Sequence, residues 1–90
     1  MQVKRVIEVV QEFPGLGARI RRARVLDERS LIQICREAGV SRQYWYQLEA
    51  EDLRAAATEE IIRKIEGALG IDLGVSFDDP AAKGNDGHSG

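Results

Sequence analysis

The chain has 90 residues, of which 43% are hydrophobic and 31% are charged, and its formal net charge is −2. A chain of this length forms one domain with a modest core, which leaves little room for a deep substrate cavity. One cysteine and one histidine exclude an intrachain disulfide and do not suffice for a Cys/His metal site or a nucleophile–histidine pair. We therefore expect no enzyme activity, no metal and no cofactor.

The start of the chain combines β-branched residues with charges. Lys4, Arg5 and Glu8 interrupt the valines, so no signal peptide is predicted, and no apolar run approaches the roughly 18 residues that span a membrane. Residues 1–14 form an N-terminal extension in which residues 3–10 favour a strand, although the same valines also fit one face of a helix. We expect a cytoplasmic protein with no membrane partner.

In residues 15–70 apolar residues recur at the spacing of helices. This segment is predicted to form a compact, mainly α domain of four or five helices. In the first helix Leu16, Ile20 and Ala23 recur at helical spacing, and Val25 or Leu26 continues this apolar face. The arginines of this segment fall on its other face. The remaining helices are delimited by capping residues.

Serine, threonine and glycine mark the ends of three further helices. Ser30 starts the second helix and Gly39 ends it, Ser41 starts the third, and Thr58 and Gly70 bound the fourth. Serine and threonine hydroxyls accept hydrogen bonds from the unpaired N–H groups of a first helical turn, and glycine adopts the left-handed conformation that closes a helix.

The segment after the fourth helix alternates strictly between apolar and other residues from Ile71 to Phe77. Such alternation predicts a half-buried strand, which we place within residues 71–79. Because a lone strand leaves its backbone unpaired, we expect residues 3–10 and 71–77 to pair with each other, either within the chain or across a dimer. Residues 80–90 are poor in apolar groups and are predicted to be a disordered tail.

The most informative unit is two short helices joined by a three-residue turn, over residues 31–49. Such a helix-turn-helix can place its second helix, here residues 41–49, in the major groove of DNA. The outward positions of that helix hold side chains that can hydrogen-bond to base edges: Arg42, Gln43, Tyr46 and Gln47. Arginine pairs with guanine and glutamine with adenine through two hydrogen bonds each.

Residues 16–70 resemble the Cro/C1 repressor family, also called the Xre-type helix-turn-helix family. The run from Leu16 to Arg24 carries the resemblance, together with the Ala-Gly-Val-Ser of residues 38–41, the Gln-Leu-Glu of residues 47–49 and the Ala-Leu-Gly-Ile of residues 68–71. The resemblance implies a sequence-specific DNA-binding transcriptional regulator, associated with the nucleoid when bound. A homodimer on an inverted repeat of double-stranded DNA is expected, because one small module reads few base pairs.

The resemblance also implies roles for single positions. Gln43 and Gln47 would be the main base-reading residues, with Arg42 at another such position, and Arg24 would pair with Glu49 in a semi-buried structural brace. The phosphate contacts predicted from the resemblance and from the basic residues near the reading helix are Arg19, Arg22, Arg36, Ser41 and Tyr44.

Other features favour a different function on the same fold. Leu31 stands where the family usually has a polar residue near a phosphate, and Glu51 and Asp52 fall where the chain normally approaches the DNA backbone. Residues 19–42 hold seven arginines and three carboxylates, a local charge of +4, whereas residues 49–60 hold five carboxylates and one arginine, a local charge of −4. The alternative is a protein-interaction module, or an antitoxin-like partner-binding protein, with weak or no DNA binding.

Overall fold

The structure is a computed structural model that describes residues 1–5 and 9–77. In this part of the chain it contains four helices and a short three-stranded sheet, so the expectation of a small, mainly helical domain is confirmed. The elements in chain order are β1 (Gln2–Lys4), β2 (Val10–Glu12), α1 (Leu16–Leu26), α2 (Leu31–Ala38), α3 (Arg42–Ala50), β3 (Ala57–Thr58) and α4 (Glu59–Leu69).

The capping residues act as their chemistry predicts. The hydroxyls of Ser30, Ser41 and Thr58 each accept a hydrogen bond from the backbone N–H three residues later, at 3.2, 3.1 and 3.1 Å. Gly39 and Gly70 close α2 and α4 with positive φ angles of 75° and 69°, a conformation that glycine adopts without steric cost. The predicted starts of α2, α3 and α4, and the predicted ends of α2 and α4, are therefore confirmed.

The core lies between the helices, where α1 packs on α3 and α2 packs on α4. Trp45 is its largest fully buried side chain, and the other large, fully buried ones are Val3, Leu16, Ile20, Ile34, Leu48, Ile62, Ile65 and Leu73. The prediction that Val25 or Leu26 continues the buried face of α1 is wrong. Both side chains are exposed, because the apolar face that packs on the core is completed by Leu16 and Ile20 in the first half of the helix.

The sheet is formed near the start of the chain and has the strand order β2-β1-β3. β1 pairs antiparallel with β2, with Val3 opposite Gln11, and parallel with β3, with Val3 opposite Ala57. The expectation of one strand over residues 3–10 is therefore corrected: this region contains β1 and the start of β2, which pair with each other. Residues 6–8 lie outside the described part.

Residues 71–77, which we call the C-terminal strap, do not form the predicted strand. β3 pairs with the edge of β1 that β2 leaves free, so pairing of residues 3–10 with 71–77 within the chain is wrong; pairing across a dimer stays a prediction. Leu73 and Val75 are nevertheless buried, as the alternation implied. The strap's backbone bonds to side chains instead, because the Leu73 carbonyl accepts from Arg19 and the Val75 carbonyl from Arg63.

The end of the strap contacts the start of the chain. The ring of Phe77 meets that of Phe13 edge-on, with centroids 5.7 Å apart, and the Arg5 guanidinium lies 5.1 Å from the Phe77 centroid. The predicted disordered tail, residues 80–90, lies outside the described residues. None of the described helices combines the length and the apolar character that crossing a membrane requires.

Candidate nucleic-acid interface

The outer face of α3 carries the four residues predicted to contact bases. Arg42, Gln43, Tyr46 and Gln47 fall within an arc of about 140° around the helix axis, given 100° per residue. Arg42, Gln43 and Tyr46 are exposed and Gln47 is half-buried. The same four side chains line one shallow concavity, together with Ala50 and Asp52. The structure therefore brings the predicted base-contact residues together on one surface.

The opposite face of α3 fixes the helix to the rest of the domain. Trp45 and Leu48 are fully buried. Arg24 donates two hydrogen bonds to the Glu49 carboxylate, from Nη2 to Oε1 at 2.9 Å and from Nε to Oε2 at 2.5 Å. Trp45 Nε1 donates a third to Glu49 Oε2 at 2.6 Å. The pair that the resemblance implied is thus present, and its hydrogen bonds raise the pKa of Arg24.

Gly17 sets how closely α1 and α3 approach each other. A Cβ atom at this position would lie 2.6 Å from the Glu49 carbonyl oxygen and 2.7 Å from that of Leu48. Real Cβ atoms do not come so close to backbone oxygens, so only glycine fits without a shift of the helices. The outer face of α3 is therefore held in place by tight backbone packing behind it.

The Glu51 carboxylate is paired with the start of α1 and with the chain's N-terminus. Its carboxylate accepts a hydrogen bond from the Gly17 N–H at 3.0 Å and forms a 2.8 Å ion pair with the Met1 ammonium. This ammonium contact is the main reason that the pKa of Glu51 is lowered. Glu51 caps the start of α1 and adds little negative charge to the outer face of α3.

Three of the other four carboxylates of the acidic segment, residues 49–60, are also paired. Glu49 binds Arg24, Glu59 binds Arg5 and Arg63, and Glu60 lies 3.8 Å from Lys64. Among the residues that the structure describes, Asp52 is the carboxylate of segment 49–60 for which no ion pair is found. The local charge of −4 counted from the sequence is therefore largely neutralised where it would oppose phosphate binding.

Three of the predicted phosphate contacts lie on α2, on α3 or at the N-cap of α3. Arg36 is exposed in the last turn of α2. The Ser41 hydroxyl accepts from the Tyr44 N–H as the cap of α3, and its proton remains available to a phosphate. Tyr44 is half-buried against the core, and burial raises the pKa of its hydroxyl. These three residues flank the outer face of α3.

Arg19 and Arg22 are not brought together with α3. Gly17 and Arg24 mark the face of α1 that packs on α3, and Arg19 and Arg22 point about 140–160° away from Gly17 around the helix axis. Arg19 also donates a hydrogen bond to the Leu73 carbonyl at 3.2 Å. Both arginines therefore belong to a different surface from the predicted base contacts.

Arg54 was missed as a site residue by the reasoning from the sequence. It is exposed in the loop after α3 and lines a second shallow concavity, which it shares with Tyr44 and Gln47. This concavity continues the outer face of α3 towards α4. The signal that could have identified Arg54 is its position as the single cation in segment 49–60, which the net count of carboxylates concealed.

Within residues 1–5 and 9–77, no group of three or more histidine, cysteine, aspartate or glutamate side chains is placed so that it could hold a metal ion. Comparisons of the chain with protein-family models, with curated proteins and with solved structures find no match.

Proposed function

We propose that this protein is a sequence-specific DNA-binding transcriptional regulator in which α2 and α3 act as a helix-turn-helix of the Cro/C1 type. In this proposal α3 enters the major groove of double-stranded DNA with its outer face towards the bases. The observation that carries the proposal is the cluster of the exposed Arg42, Gln43 and Tyr46 and the half-buried Gln47 on one face of a helix whose opposite side is packed on the core.

The side chains of the outer face supply hydrogen bonds of the kind that read base edges. Arg42 can donate two to guanine, and Gln43 or Gln47 can donate and accept at adenine. Tyr46 adds a ring that can contact a thymine methyl group and a hydroxyl that can donate. A rigid helix suits this task, because base readout requires several groups to be positioned at once.

Phosphate contacts come from the residues around this face. Arg36 and Arg54 supply positive charge, while Ser41 and Tyr44 supply hydroxyl groups. The pairing of Glu51 with the Gly17 N–H and the Met1 ammonium matters here, because an unpaired carboxylate would repel the DNA backbone, whose phosphates provide much of the affinity. Asp52 borders the outer face of α3 and limits this affinity.

A homodimer on an inverted repeat completes the proposal. One short helix reads only a few base pairs, and two copies related by a two-fold axis double the length of the site. The half-sites are then separated by about one helical turn of DNA, roughly 34 Å.

The test is selection of bound sequences from random double-stranded DNA, followed by binding measurements on the selected site. A palindromic consensus is expected. Gln43→Ala and Gln47→Ala should each weaken specific binding by about 1–3 kcal/mol. Arg54→Ala should instead weaken binding to all sequences. It should also reduce by about 1 the steepness with which the logarithm of the binding constant falls against the logarithm of the salt concentration. The matched control is Lys64→Ala, which removes a charge from the exposed face of α4 and should leave binding unchanged. If the wild-type chain shows no salt-dependent affinity for any DNA, the proposal fails.

The alternative, a protein-interaction module with weak or no DNA binding, is favoured by one observation. The Tyr46 ring is 55% exposed at the centre of the outer face of α3, and tyrosine is enriched among residues that dominate protein interfaces. Under this alternative, Tyr46→Ala removes a protein partner captured from native cells, and Gln43→Ala does not. Under DNA binding, both substitutions weaken the complex with the selected site.

A further inference from the structure

The outward side of α1 carries a second exposed surface, which no other element among residues 1–5 and 9–77 covers. A shallow groove along the helix is lined by Ala18, Arg19, Arg21, Arg22, Val25 and Leu26. Arg19 donates a hydrogen bond to the Leu73 carbonyl, and we call the other five residues the outer stripe of α1. Val25 is 61% exposed and Leu26 is 77% exposed. The five residues of the outer stripe stand at positions i, i+3, i+4, i+7 and i+8, which lie on one face of a helix. Such a face is typical of a surface that packs against another helix.

The outer stripe of α1 is also strongly basic. The 11 residues of α1 include four arginines and no carboxylate. Arg24 is bound to Glu49 and Arg19 to the Leu73 carbonyl, but Arg21 and Arg22 form no ion pair within the described part of the chain. The stripe therefore combines two exposed aliphatic side chains with two arginines whose charge is not balanced by a neighbouring carboxylate.

Two occupants of this surface are disfavoured by its chemistry. Double-stranded DNA would place phosphates against Val25 and Leu26, and the stripe lies away from the face that α1 turns towards α3. A second copy of the chain, docked stripe to stripe by a two-fold axis, would set arginines against arginines, and like charges in close contact are costly.

We propose that the outer stripe of α1 is a docking surface for an amphipathic helix of a partner protein, in which carboxylates flank an apolar ridge. The apolar ridge covers Val25 and Leu26, and the carboxylates pair with Arg21 and Arg22. Helices that pack in this way lie about 8–10 Å apart. The surface is separate from the outer face of α3, so this inference goes beyond the proposed function and does not depend on it.

Charge complementarity sets the kind of partner. Arginine pairs with a carboxylate through two parallel hydrogen bonds, which favours glutamate or aspartate at defined spacing over diffuse negative charge. The aliphatic contacts provide affinity that salt does not screen, and the ion pairs provide the preference for an acidic helix. Binding should therefore weaken with salt without being lost.

The test uses a short synthetic helical peptide with leucines at positions i, i+3, i+4 and i+7 and glutamates on both sides of them. Its binding to the full chain is followed by fluorescence anisotropy, with no DNA present. We expect micromolar affinity, a loss of about tenfold or more for Leu26→Ser, and no loss for Ile32→Ser. Ile32, on α2, is also exposed at 51%, which makes it the matched control.

A charge exchange makes the test specific. Arg22→Glu should abolish binding of the glutamate peptide and permit binding of the same peptide with lysine in place of glutamate. A peptide of identical composition with its leucines scrambled should not bind. Circular dichroism of each variant verifies that the helices are retained.

Several results would overturn the inference. One is that the glutamate peptide does not bind at concentrations up to about 1 mM, and another is equal binding to wild type and Leu26→Ser. A change of oligomeric state in Leu26→Ser would assign the surface to a second copy of the chain. Weaker DNA binding by Arg22→Glu without any effect on the peptide would assign it to DNA. Because the peptide assay contains no DNA, its failure is distinguishable from failure of the proposed function.

Discussion

The two faces of α3 differ in burial and in hydrogen bonding. On the inner face Trp45 and Leu48 are fully buried and the Glu49 carboxylate receives three hydrogen bonds. On the outer face Arg42, Gln43 and Tyr46 are exposed, and they form none of the side-chain hydrogen bonds found among the described residues. If the proposed function is correct, stability and recognition depend on different residues of the same nine-residue helix, and mutations can separate the two.

The largest effect is expected on the inner face. Trp45→Ala removes the largest fully buried side chain and leaves a cavity, so the free energy of unfolding should fall by about 3–5 kcal/mol. Urea denaturation followed by circular dichroism measures this loss. If Trp45→Ala leaves too little folded protein, Trp45→Phe keeps most of the ring volume but removes the donor to Glu49, and a smaller loss is expected. A loss below about 1 kcal/mol for both would contradict the structural role of this face.

The next effect tests the backbone contact behind α3. Gly17→Ala forces a Cβ atom against the carbonyl oxygens of Leu48 and Glu49, and should cost about 1–3 kcal/mol of unfolding free energy. Gly67→Ala, in α4, is the matched control. Its Cβ would meet no atom within 4 Å, so helix propensity should stabilise the domain by about 0.5–1 kcal/mol. If Gly17→Ala also stabilised the domain, α1 and α3 would not be closely packed at this position.

A smaller effect is expected where α3 ends. Glu51→Gln removes the charge that pairs with the Met1 ammonium and should cost about 1 kcal/mol at neutral pH. The pKa of Glu51 is lowered from its ordinary value of 4.5, mainly by the hydrogen bond to the Met1 ammonium. The ionised Glu51 carboxylate therefore stabilises the folded domain fully above pH 4.5. This contribution is lost as the pH falls through the lowered pKa of the folded state.

The Met1 ammonium sets the upper pH limit of the stabilisation that the Met1–Glu51 ion pair provides. Burial opposes its charge, but hydrogen bonds to Glu12 and Glu51 outweigh burial and raise its pKa above 8.0, so its stabilisation is lost as pH rises through that raised value. The stability difference between wild type and Glu51→Gln should therefore be largest between these limits. Urea midpoints measured across the pH range test this, and a difference independent of pH would exclude the ion pair as its cause.

The smallest effect on stability belongs to the outer face. Arg42→Ala and Gln43→Ala should change the free energy of unfolding by less than about 0.5 kcal/mol, because neither side chain contacts the core. Thermal unfolding and DNA binding measured on the same preparations complete the comparison. A marked loss of stability would mean that the outer face, like the inner one, supports the fold.

The helices could be predicted because their signals are local. Ser30, Ser41 and Thr58 cap helices through bonds to residues only three positions away, and these signals need no knowledge of the tertiary structure. The four residues of the outer face share one side of α3 for the same reason, since helical geometry alone places them there.

What could not be predicted depends on partners far away in the chain. The alternation in residues 71–77 correctly indicated that Leu73 and Val75 are buried, but it could not reveal that β3 pairs with β1 or that Arg19 and Arg63 bind the strap's carbonyls. Likewise, the pairing of Glu51 depends on the Gly17 N–H, 34 residues earlier. A net charge counted over a segment does not show which carboxylates are paired.

The C-terminal strap also has a kinetic consequence. The bond from Arg19 to the Leu73 carbonyl spans 54 residues, and the contact of Phe77 with Phe13 joins the two ends of the described chain. Contacts of such long range require closure of a large loop, which slows folding, whereas the neighbouring helices α2 and α3 meet across a short turn. We expect the strap to dock after the folding barrier has been crossed, so that loosening it accelerates unfolding and leaves the refolding rate nearly unchanged. The strap would then set the lifetime of the folded domain more than the speed at which it forms.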